Sequence, residues 1–120
     1  MELKPTLDQA FISASIGILS TDQRGNIAAI NQQASEIMGI DRQKIVGTNI
    51  SENLKMTARL VRRCLKTGKP QIGRHIRRRR MKLVANITPV QENGNVLGAV
   101  CCFGKMYEFE QTCSANRPVK

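Results

Sequence analysis

Apolar residues recur along this chain in two rhythms, and the changes of rhythm mark out its elements. Leu7, Ala10, Phe11 and Ala14 return at three- and four-residue intervals after Pro5 and Thr6, which predicts a short amphipathic helix within an N-terminal segment 1–15. The isoleucine-rich stretch 16–21 reads as a strand. Residues 22–26, Asp-Gln-Arg-Gly-Asn, form a turn, and 26–30 is the returning strand. Asn31 stands at an N-cap position, with Ala34, Ile37 and Met38 on the apolar side of a helix ended by Gly39. Asp41 and Ser51 are expected to cap two further brief turns, separated by Gly47.

A stronger helix follows over 55–67, closed by Gly68 and Pro70. Its spacing puts Met56, Leu60, Val61, Cys64 and Leu65 on one face and Arg59, Arg62, Arg63 and Lys66 on the other. The last third alternates with a period of two. Strands are predicted over 71–77 and 81–90, reversing near Arg78 to Arg80, and over 96–103 after the Asn93-Gly94 turn. Alternation places Cys101 on one face with Leu97, Ala99 and Phe103, and Gly98 permits close approach of a neighbouring strand. Two strands, several small helices and three strands make an α+β domain: a five-stranded antiparallel sheet covered on one face by short helices.

At 120 residues the chain is one domain long, and 41% apolar content is enough for a core. Its longest apolar run, 96–103, falls far short of the roughly 20 residues that span a bilayer. The start, Met-Glu-Leu-Lys-Pro, lacks the apolar centre and cleavage site of an export signal. These features point to a cytoplasmic protein without a membrane partner. Cys64, Cys101, Cys102 and Cys113 have no spaced framework, and two of them are adjacent, so they read as reduced thiols.

Charge changes the picture more. The formal net charge is +10, and no acidic residue lies between Glu52 and Glu92, an interval that holds twelve of the 19 lysines and arginines. The excess thus belongs to one segment, suited either to a solvated face or to an anionic partner. Catalytic signatures are missing. There is no Gly-x-x-x-x-Gly-Lys phosphate loop, nucleophile elbow or metal-ligand cluster, and one histidine gives little material for acid–base chemistry. The chain does not read as an enzyme.

The order of elements resembles the PAS sensory domain. Gly17-Ile18-Leu19-Ser20-Thr21-Asp22 with Gly25-Asn26-Ile27 looks like that family's opening hairpin. Ile30-Asn31-Gln32-Gln33-Ala34 with Ile37-Met38-Gly39 looks like its first helix. Val46-Gly47, then Leu65 to Gly68 with Pro70, and Gly94-Asn95-Val96-Leu97-Gly98-Ala99-Val100 continue the match in register, over about residues 7 to 110. The nearest flavour is the PAS domain that precedes the ATPase of bacterial sigma-54-dependent transcriptional activators. Related forms occur in sensor histidine kinases.

That resemblance implies a regulatory module, often dimeric, which senses a small molecule, redox state or partner and relays it to an effector. The domain is expected over 16–110, with 111–120 starting a linker to an effector absent from this sequence. The family's central cavity would be lined by Leu60, Cys64, Ile87, Ala99, Cys101 and Phe103, with room for an unidentified small ligand. No cofactor is expected. The flavin-binding subclass needs Asn-Cys-Arg where this chain has Asn49-Ile50-Ser51-Glu52-Asn53, and the haem subclass needs a histidine on the long helix, whereas His75 lies on a strand. The usual exit motif, Asp-Ile-Thr-Glu, reads Lys105-Met106-Tyr107-Glu108 here, with lysine in place of aspartate.

Three further expectations concern surfaces. Arg74 and Arg77 to Arg80 (Arg77, Arg78, Arg79, Arg80) are candidates for a docking surface facing the effector or another acidic protein. Nucleic acid is less favoured, because none of the four aromatic residues interleaves with the run. Leu7 and Phe11 are candidates for a homodimer contact. The runner-up to a small-molecule sensor is a basic adaptor that binds nucleic acid or an acidic protein. An open apolar pocket would favour the sensor, and a filled one the adaptor.

Overall fold

Period-two alternation in the first strand puts every second side chain on a covered face, and this rule builds most of the sheet. The computed structural model describes residues 16–106. In chain order the elements are β1 (Gly17–Asp22), β2 (Ile27–Ile30), α1 (Gln32–Met38), α2 (Arg42–Ile45), α3 (Ile50–Asn53), α4 (Lys55–Thr67), β3 (Gln71–Arg78), β4 (Met81–Glu92) and β5 (Asn95–Lys105). The strands form one antiparallel sheet in the order β2-β1-β5-β4-β3, so the last strand in sequence is the middle one in space.

Register explains the core. Leu19 of β1 faces Cys101 of β5, which faces Ile87 of β4; Gly17, Phe103 and Ala85 form the next row. Leu19, Cys101, Ile87, Phe103 and Ala85 have no exposed surface. Burying one large apolar side chain of this kind contributes about 1.5–3 kcal/mol, so these rows are a principal source of stability. The helices cover the same face: α4 packs on β5, β4 and β3, and α1 packs on β1 and β5.

Local chemistry fixes the helix ends. The Asn31 side-chain oxygen accepts from the backbone N–H groups of Ala34 (2.8 Å) and Ile18 (3.0 Å), and its amide donates to the Ile16 carbonyl (3.2 Å). One residue therefore caps α1 and fastens it to β1. Gly39 ends α1 and Gly68 ends α4 in the left-handed region, at φ of 69° and 71°.

The structure departs from the sequence reading in four places. Asn49, not Ser51, caps α3: its oxygen accepts from the Ser51 N–H (3.1 Å) and hydroxyl (2.8 Å). Asn26 precedes β2 and forms an isolated bridge with Asn49. The covered stripe of α4 is Thr57, Ala58, Val61 and Cys64, with Leu60 and Leu65 half-buried; Met56 is 45% exposed. Leu97 does not share the covered face of Ala99, Cys101 and Phe103. Between the pairs Val90–Gly98 and Gln91–Val96 it is the extra residue of a bulge, and it is 43% exposed.

Candidate functional site

Five of the six residues expected around a central cavity meet in one close-packed layer. Cys64, Ile87, Ala99, Cys101 and Phe103 belong to a single apolar cluster and have no accessible surface, while Leu60 packs against it half-buried. The Cys64 thiol lies 4.0 Å from the Ile87 carbonyl oxygen, toward which it donates, and Ile87 pairs with Cys101. A ligand reaching this layer would have to lift α4 from the sheet.

Burial also sets the chemistry of the thiols. Desolvation pushes the Cys101 thiol far above the ordinary cysteine range, with smaller upward contributions from Cys102 and Cys64. Desolvation raises Cys64 as well. A thiol held neutral is a poor nucleophile and a poor metal ligand, so both behave as small apolar side chains at neutral pH. Among the described residues no three of His, Cys, Asp and Glu gather where they could hold a metal.

The arginine run divides by role. Arg78 donates from Nε to the Met38 carbonyl (3.1 Å) and from a terminal nitrogen to the Asn53 carbonyl (3.2 Å), so it ties together the C-terminal ends of α1 and α3. A cation at two helix C-termini meets the negative ends of their dipoles. Arg79 turns the β3–β4 hairpin at a φ of 57°, and its guanidinium lies over Gly39, where even a β-carbon would come within 2.7 Å of it. Arg74 donates to the Gln71 side-chain oxygen at 2.9 Å. Arg77 and Arg80 are exposed. Lys55, Met56 and Arg77 to Arg79 line one cleft of about 280 Å3, so the hairpin and the start of α4 do come together.

A second cleft, of about 270 Å3, was not visible in the sequence. It opens between α4 and the β1–β2 turn. Ile50, Ala58 and Val61 form its floor, Leu65 one wall, and Arg24, Arg62 and Lys66 its rim. The turn that carries Arg24 is firmly built. The Asp22 carboxylate accepts from the backbone N–H groups of Arg24 and Asn26, each at 2.9 Å, and from the Asn26 amide at 3.2 Å. These bonds, that of the Asn26 N–H foremost, hold the Asp22 carboxyl below its usual range. Asn49 then fastens the turn to α3 through bonds to the Arg24 carbonyl (3.0 Å) and the Asn26 side chain (3.1 Å). Arg62 and Lys66 four residues apart on a helix were the available signal; their meeting with Arg24 depends on tertiary packing.

A sheet in 2-1-5-4-3 order, with its helices inserted between the second and third strands and packed on one face, defines the class as an α+β domain. Its sequence matches the family model of the PAS fold over residues 7–106, and the chain belongs to that family. No curated protein matches it in sequence at a significant level. Among solved structures it is similar to the PAS domain of the histidine kinase ThkA, at 11% identity and a TM-score of 0.66, covering 73% of this chain and 96% of that one. A sensory box sensor histidine kinase from Vibrio cholerae gives 15% identity and a TM-score of 0.63, covering 85% and 90%. The Vibrio cholerae VqmA–ligand–DNA complex gives 14% and 0.62, covering 87% of this chain and 54% of VqmA. Among the described residues no helix is long and apolar enough to cross a membrane. Leu7, Phe11, Cys113, Glu108 and the segments 1–15 and 111–120 lie outside the described residues.

Proposed function

We propose that this PAS domain is the signal-receiving part of a cytoplasmic, homodimeric bacterial transcriptional regulator of the sigma-54-dependent kind, and that it is not itself an enzyme. The observation that carries the reading is the family match over residues 7–106. The filled central layer favours the alternative, a basic adaptor that binds nucleic acid or an acidic protein, and the family match outweighs it. VqmA, solved with ligand and DNA, supports a regulator as host, because a domain of this fold accounts for about half of it. The likenesses to ThkA and to the Vibrio cholerae kinase favour a second host, a sensor histidine kinase.

Neither flavin nor haem takes part in this reading. Ile50, where the flavin subclass places its reactive cysteine, is a buried core residue, and the covered stripe of α4 offers Thr57, Ala58, Val61 and Cys64 but no imidazole. The purified chain should therefore be colourless, and a stoichiometric flavin or haem absorption band would overturn this part of the proposal.

The decisive experiment is made in the host cell on the full-length gene product. Deleting residues 16–106 should uncouple transcription of its target genes from the signal. A change in autophosphorylation with promoter output untouched would transfer the proposal to the kinase host. Unchanged output of both kinds would overturn the sensory reading.

A further inference from the structure

We infer that the cleft between α4 and the β1–β2 turn binds a small organic anion with an apolar body, of the class of medium-chain carboxylates. The inference gives the proposed sensor a ligand class and rests on that reading for its biological meaning.

Three observations converge on it. The cleft of about 270 Å3 has the volume of roughly nine water molecules at about 30 Å3 each, enough for a short alkyl chain. Its base is apolar, formed by Ile50, Ala58 and Val61, and the half-buried Leu65 in its wall presents the apolar surface a guest can cover. Its rim is cationic, since Arg24, Arg62 and Lys66 are among its ten lining residues and none of the ten is acidic. Arg62 and Lys66 are i and i+4 on α4, a spacing at which like charges repel. An anion between them replaces that repulsion with charge-assisted hydrogen bonds.

The wall opposite α4 is preorganised. Gly25 holds the turn at a φ of 86°, its carbonyl accepts from the Ile50 N–H at 2.8 Å, and the Asp22 and Asn49 bonds fix the rest. Asn49 is therefore scaffold, and the backbone that presents Arg24 is already fixed, so the ordering cost of binding falls on the rim side chains and not on the turn. The same geometry sorts ligands. A carboxylate with an alkyl chain uses both rim and floor, inorganic phosphate uses the rim alone, and an alcohol of equal length uses the floor alone.

The test is an amide NMR titration of the whole 120-residue chain with octanoate, octanol and inorganic phosphate. Octanoate should shift Gly25, Asn49, Ile50 and Leu65, and should bind about tenfold or more tightly than either control, a difference of about 1.4 kcal/mol. The double variant Arg62→Gln with Lys66→Gln should lose about tenfold in octanoate affinity. Arg63→Gln with Lys69→Gln removes the same charge outside the cleft and should stay within about twofold of wild type. Equal losses in the two double variants, shifts confined to other surfaces, or phosphate binding as well as octanoate would each overturn the inference. Because binding is read on this chain alone, its failure leaves the promoter experiment standing, and failure of the promoter experiment leaves the site standing.

Discussion

Arg78 shows how little a run of identical residues says about each member. Between Arg77 and Arg80, side chains of the same type divide into exposed charges and structural ties. Arg78→Ala should cost about 2 kcal/mol, because it abandons two helix-terminal carbonyls. Arg77→Ala and Arg80→Ala should stay within about 0.5 kcal/mol, as exposed substitutions usually do. Urea midpoints of the three variants check this directly, and three equal midpoints would contradict it. If the exposed arginines form the effector-docking surface, replacing Arg77 and Arg80 with serine should weaken effector binding while the midpoint stays put.

Acid–base behaviour at this scale follows from hydrogen bonding and burial. Asp22 has its carboxyl held below the usual range in the folded state, so the unfolded state takes up its proton first as pH falls. Its stabilising contribution is complete above the unfolded value of about 4 and is lost as pH drops through the folded value. Between about pH 5 and pH 3, wild type should therefore lose more stability than Asp22→Asn, as read by urea unfolding at each pH. Cys64 and Cys101 point the other way. At about pH 8 iodoacetamide should leave both unlabelled in the folded protein and label both in urea, with peptide mapping as the readout.

At the scale of elements, the pattern of apolar positions and punctuating residues was nearly sufficient. The bounds of α4, the Asn31-to-Gly39 frame of α1 and the strand rhythm were legible because each rests on neighbours in sequence. Asn49 displaced Ser51 as a cap because it answers to Arg24 and Asn26, residues more than twenty positions away. Met56 stands outside the covered stripe because the side of α4 that meets β5, β4 and β3 is set by tertiary packing, which helical spacing alone does not contain.

The β4–β5 hairpin yields a paired prediction. Asn93 and Gly94 both have positive φ, 53° and 82°, as a two-residue turn of this hand requires. A side chain at Gly94 meets open space, so Gly94→Ala should cost only backbone strain, about 1 kcal/mol. At Gly98 a β-carbon would lie 2.1 Å from the Thr21 carbonyl oxygen, a clash with backbone that only parting β1 from β5 relieves. Gly98→Ala should cost about 3 kcal/mol or abolish folding. Thermal melts of the two variants distinguish strain from collision.

For the whole molecule, the sheet order was the part sequence could not dictate unaided. Five strands were legible as strands, yet β5 goes to the middle only because β1 and β4 both present apolar rows to it. The candidate cavity residues likewise were legible as one apolar face but not as a filled layer, since packing density is not written in periodicity. Amide exchange should show this hierarchy: the β5 amides at the Cys101 level should exchange slowest, and those of the edge strand β2 markedly faster. Light scattering should show the 120-residue chain as a dimer that Phe11→Asp weakens. A monomer at high micromolar concentration would remove the N-terminal segment from the assembly.

The pairing of Gly17 with Phe103 has a mechanical side. The chain enters the sheet on β1 and leaves it on β5 at the same end, on adjacent antiparallel strands. Tension applied through the two ends would therefore open the β1–β5 ladder one hydrogen bond at a time, as a zipper opens. It would not load the whole row in shear. A sheet held this way yields at low force from the Gly17–Phe103 end, while the far end, where Gly98 lies against Thr21, stays closed longest. Any pull or twist between the flanking segments is thus spent first on the contact nearest the core ring of Phe103, and the sensor's most compliant point is also its doorway.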